Sequence, residues 1–141
     1  MKFDTTRRGE PAIWEEGGGM TSRGSATLVA GPHGEKLRPL FVPRGGHLAC
    51  GQHAMFVARP GLLVVHADQW RDEKVEVFRI ISIDKNADGG WDAATETVCS
   101  FSEGVWLPAE PQGEVAELCK AALRKAHSYH CRSVYWADLQ R

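Results

Sequence analysis

The stretch "KVEVFRIISIDKNADGGWDAATETVCSF", residues 74–101, decides how this chain is read. Runs rich in β-branched and aromatic residues, 74–83 and 94–101, flank a polar centre, Asn86-Ala87-Asp88-Gly89-Gly90. Such runs fit a pleated strand, and Asn, Asp and Gly tolerate the left-handed backbone that a tight connection needs. The stretch is therefore expected to form a hairpin. Strict alternation in the first run puts Val75, Val77, Arg79, Ile81 and Ile83 on one face and Glu76, Phe78, Ile80 and Ser82 on the other. Apolar residues on both faces suit a central strand better than an edge.

Working outward, further short runs read as strands: "AIWEE" (12–16), "ATLVA" (26–30), "RPLFV" (38–42), "HAMFVA" (53–58) and "LLVVHA" (62–67). Glycine and proline punctuate the intervals between them. Arg59-Pro60-Gly61 supplies a fixed φ and then a permissive residue, so 53–67 reads as a second hairpin. After Pro111 the period changes. Val115, Leu118, Cys119, Ala122, Leu123 and Ala126 recur at helical spacing through 113–127, with glutamates near the start and Lys120, Arg124 and Lys125 toward the end, where each complements the helix dipole. The segment 131–141 is open to either a last strand or a short second helix. The sum is an α+β fold: a mainly antiparallel sheet, curved into a barrel or sandwich, with a C-terminal amphipathic helix packed on it. One domain over residues 1–141 is expected, its first 25 residues a flexible arm or an edge strand.

Composition narrows the function classes. The 141 residues are 43% apolar and 25% charged, with a net charge of −1. That balance argues against a protein that simply coats nucleic acid, although residues 1–60 hold eight Lys/Arg against five Asp/Glu. No run approaches the roughly 18 apolar residues of a membrane span. The opening "MKFDTTRRGEP" has no apolar core of a secretory leader, so a cytoplasmic setting is expected. Cys50, Cys99, Cys119 and Cys131 then read as thiols, Cys119 as core packing.

Several constellations carry chemistry. Asp84, Asn86 and Asp88 stand at positions 1, 3 and 5 of a calcium loop, with Gly89 at the sharp turn and Asp92 at position 9. Over about a dozen residues this resembles an EF-hand loop. It departs from one where Thr95 replaces the closing bidentate carboxylate and where a strand replaces the entering helix; a plain hairpin turn is the alternative. His47, Cys50 and His53 have the spacing H-x-x-C-x-x-H, and His127, His130 and Cys131 form a second group. Together they are the candidate ligand pool for zinc, which takes Cys and His tetrahedrally. Against that, an extended 47–53 would point Cys50 away from the two histidines. Cys50 with a histidine also has the elements of a nucleophilic pair, without a nameable orienting third residue. Phosphate-loop readings fail because Ser25 and Ala26 stand where a lysine and a hydroxyl residue are required.

Five tryptophans complete the inventory. Trp70 and Trp91 sit among polar or small residues and are expected to be partly exposed, where a rigid aromatic surface suits binding. Arg38 and Arg44 are candidates for an anionic ligand. The leading expectation is a non-enzymatic binding or interaction module whose loops and tryptophans meet a small molecule or protein partner, a homo-oligomer included. Its rivals are a zinc- or calcium-dependent protein and a nucleic-acid-binding β-barrel.

Overall fold

The computed structural model describes residues 3–17, 24–42, 52–69 and 72–127. Among these, eight strands form one antiparallel sheet: β1 Asp4–Thr5, β2 Pro11–Gly17, β3 Ser25–Ala30, β4 Gln52–Val57, β5 Leu63–Asp68, β6 Lys74–Lys85, β7 Trp91–Ser102 and β8 Val105–Leu107. One helix, α1 Gly113–His127, follows and packs on the sheet. The order runs β1-β2-β3-β5-β6-β7-β8, with β4 paired to β2. The class is α+β, as the sequence implied, but the sheet does not close into a barrel.

The reason it stays open lies in β2. On one edge β2 pairs with β4 from Ala12 to Glu16. On the other it pairs with β1 only at Pro11 and Ala12, and with β3 only at Glu16 and Gly17. Between those contacts β3 peels away to pair along its whole length with β5. Gly17 is built for the fork: a β-carbon there would come within 2.5 Å of that of Ala26. Glu15 bridges the split, its Oε2 accepting the Val29 backbone N–H at 3.1 Å, a donor that the interrupted ladder leaves over.

Period-2 alternation sorts the central strands into two faces. Leu28, Val65, Val77 and Cys99 form one cross-strand row, with Ala26, Ala67 and Val75 in the next. These rows meet Cys119, Ala122 and Ala126 of α1 in a single buried cluster. Alanine on both sides lets the helix approach the sheet closely. The helix occupies the predicted span. On the opposite face, Val29, Val64 and Phe78 pair across β3, β5 and β6, and pack with Ile80, Ile13, Ala54, Phe56 and Leu62 in a second cluster.

Three local expectations are corrected. The 74–101 stretch is a hairpin and β6 is central, paired on both sides. Yet a bulge near Ile81 breaks the alternation, so Ile83 joins the Ile80 cluster and Ile81 itself is 48% exposed. The 53–67 stretch is not a hairpin. Its turn does form, with the Leu62 N–H donating to the Arg59 carbonyl at 3.3 Å and Gly61 at φ 91°. The flanks, however, go to different partners: the Ala58 N–H bonds to Pro11 and the Ile80 N–H to Leu62. The turn is a corner that leads from β4, paired to β2, into β5, paired to β3 and β6. Finally, 38–42 makes only an isolated bridge, Phe41 to Met55, rather than a strand.

Candidate functional site

The fork in β2 opens a cleft of about 690 Å3 on the face away from α1. Asp4, Ala12, Trp14 and Glu16 of β1 and β2 form one wall. Thr27, Val64 and His66 form the floor, and Glu76, Phe78, Ala93 and Thr95 of β6 and β7 the far wall. Thr27, His66 and Glu76 belong to one cross-strand row, which Ser100 continues beyond the cleft, next to the apolar row Val29-Val64-Phe78. One step along the strands therefore takes this face from core to polar surface.

Two hydrogen bonds organise the cleft. Trp14 Nε1–H donates to Asp4 Oδ2 at 2.7 Å, and Phe41 meets the indole edge-on with ring centroids 5.8 Å apart. The indole is thus fixed at both its polar tip and its ring. Across the cleft, Thr27 Oγ1 and His66 Nδ1 share a hydrogen bond of 3.0 Å. Burial pushes the Glu16 carboxyl above the usual carboxylate range and the Asp4 charge adds to the rise, while His66 pulls it back. A fixed aromatic, a histidine and three carboxylates thus line one concavity, whose surface is at least as polar as it is apolar.

The stretch 84–92 is a turn organised by Asn86. Its side-chain oxygen, which a calcium loop would aim at the ion, accepts the backbone N–H groups of Asp88 at 3.0 Å and Gly90 at 2.9 Å. Its amide nitrogen donates to Asp92 at 3.3 Å. Asp84 and Asp92 are cross-strand partners, and Gly89 takes φ 82° at the turn. Trp91 is half-buried, with the Lys85 ammonium 5.7 Å from its ring centre and its buried Nε1–H without a partner.

The zinc pool is only partly described. His47, Cys50, His130 and Cys131 lie outside the described residues, as do Trp70 and Arg44. His53 donates from Nε2 to the Gly17 carbonyl at 3.0 Å; burial lowers its pKa, as does the nearby Lys125 charge. His127 stands 3.8 Å from Glu73. Among the described residues, no three His, Cys, Asp or Glu side chains are arranged to hold a metal ion. Cys99 and Cys119 are free buried thiols, and burial pushes Cys119 up to about 11. Arg38 is exposed and shares a groove of about 640 Å3 with Lys36 and Arg59, the last paired with Glu35 at 3.3 Å.

The sequence reading nominated none of the cleft residues. Trp14, Glu16, Thr27, His66 and Glu76 come from four different strands, and only non-local pairing makes them neighbours. One signal was present: His66 is the single polar residue in the run "LLVVHA", at a position that alternation assigns to the face opposite Val65 and Ala67. No family model, no curated protein and no solved structure matches this chain.

Proposed function

We propose that this protein is a small binding module, not an enzyme, whose ligand site is the cleft at the β2 fork and whose ligand is a small molecule. The observation that carries the reading is the pinned indole of Trp14 facing the His66 row across a concavity of about 690 Å3. Small-molecule sites commonly fall between about 300 and 1,000 Å3 and combine aromatic lining with a few convergent polar groups. The expected binding tryptophan thus becomes Trp14 rather than Trp70 or Trp91. Of the described thiols, Cys99 and Cys119 sit on the helix side, buried and with raised pKa, where a thiol is inert. Free thiols also suit a reducing compartment such as the cytoplasm.

The test is a fragment screen on isotope-labelled protein, read by amide and indole chemical shifts. Hits should move Trp14, His66, Phe78 and Thr95 together. Hits that map instead to α1, or to the 85–91 turn, would sink the reading.

A further inference from the structure

The charge pattern of the cleft narrows its ligand, granted the binding reading above. Asp4, Glu16 and Glu76 line it, and among the described residues no Lys or Arg does. Among the described lining residues His66 is the one basic side chain, and Glu76 is its cross-strand neighbour. Asp4 also raises the energy of an ionised Glu16, so a negative ligand would add to a repulsion already present and a positive one would relieve it. The aromatic residues select in the same direction. Trp14 of β2 and Phe78 of β6 both line the cleft, and an aromatic face carries partial negative charge that attracts a cation.

A bare metal ion uses only half of this arrangement. It gains nothing from two aromatic rings, and the carboxylates belong to three separate strands rather than to one converging cluster. A neutral polyol would meet acceptors but leave the excess charge uncompensated. We propose that the cleft binds a small organic ammonium ion, its charged nitrogen near Asp4 and Glu16 and its carbon skeleton against Trp14 and Phe78. The chain's overall charge of −1 makes this a local property of the cleft, not a general attraction for cations.

Calorimetry and chemical-shift titration with n-butylamine, tetramethylammonium and spermidine test this, with glucose and butyrate as neutral and anionic comparisons. The ammonium probes should bind and shift the Trp14 indole N–H, more weakly as salt is raised, while glucose and butyrate do not. Glu16→Gln should weaken n-butylamine about three- to tenfold, and Trp14→Leu should weaken tetramethylammonium similarly. Glu117→Gln, an exposed carboxylate on α1, should leave every affinity unchanged. Spectra of each free variant check that it is folded. Binding of glucose or butyrate in preference to the amines overturns the ammonium assignment. If the amines fail while screened fragments still map to the cleft, the ammonium assignment falls and the site stands. If neither responds there, both fall.

Discussion

The two faces of the central strands β3, β5 and β6 do opposite jobs with the same backbone. Toward α1, the two rows under the helix are apolar: Leu28, Val65, Val77 and Cys99 in one, Ala26, Ala67 and Val75 in the next. Away from α1, the row Val29-Val64-Phe78 is core, but its neighbour Thr27-His66-Glu76 is polar and open. The difference teaches where stability resides and where the proposed ligand would bind. Burial costs a polar side chain its water, so a surface meant only to hold the fold excludes such groups. A face that keeps them, in a concavity, is free for a ligand.

Substitutions can break or sharpen that contrast. The largest effect is expected at Ala122, fully buried where α1 meets the sheet. Ala122→Asp places an unpaired charge in an apolar cluster and should cost more than about 4 kcal/mol, a large share of the roughly 5–15 kcal/mol that holds a typical domain folded. A cooperative urea transition near that of the parent would show that the helix face is not sealed. Next is Ile80→Ala, a fully buried side chain on the other face, expected to cost about 2–5 kcal/mol. A cost below about 1 kcal/mol would mean that the second cluster is loosely packed.

Glu15 probes the fork itself. Glu15→Ala leaves the Val29 N–H without its acceptor and should cost about 1–3 kcal/mol, whereas Glu15→Gln retains an acceptor and should stay within about 1 kcal/mol of the parent. Equal costs for the two would show that the bridge across the split is not the feature that matters.

The smallest effects are in pH dependence, and the signs differ. Burial raises the Glu15 pKa above its ordinary 4.5, so the folded chain holds that proton longer than the unfolded chain. The Glu15 contribution is therefore greatest below 4.5 and is lost as pH rises through the folded value. Burial lowers the His53 pKa below its ordinary 6.5, so its contribution is present above 6.5 and lost as pH falls through the folded value. His53→Gln should flatten the acid-side decline that begins near 6.5. An unchanged slope would place that titration elsewhere.

How much of this was legible in the chain follows from how local each feature is. The helix at 113–127 depends on spacing and end charges that lie within it, and it forms where read. The hairpin at 74–101 likewise carries its own turn chemistry in Asn86 and Gly89. The corner at Pro60-Gly61 marks the limit. The turn was read correctly, yet which strands it joins is settled by Pro11 and Ile80, far away in sequence. The bulge at Ile81 likewise depends on β7, where Thr95 and Ala94 face Ile80 and Ser82. The cleft is the extreme case, because Trp14, Thr27, His66 and Glu76 share no local pattern at all. Arg38 and Trp91 looked more promising from their neighbours, and the fold places neither among the residues that line the cleft.

Val65 and His66 are consecutive in β5 and point to opposite faces, so comparing Val65→Ala with His66→Ala tests the division most directly. Urea unfolding and the fragment-shift assay would be run on both. Val65→Ala should cost roughly 1.5–3 kcal/mol and leave the cleft shifts in place. His66→Ala, at an exposed position, should stay within about 0.5 kcal/mol of the parent and lose the ligand response. A destabilised His66→Ala, or one that binds as the parent does, would contradict the assignment of that face to a ligand.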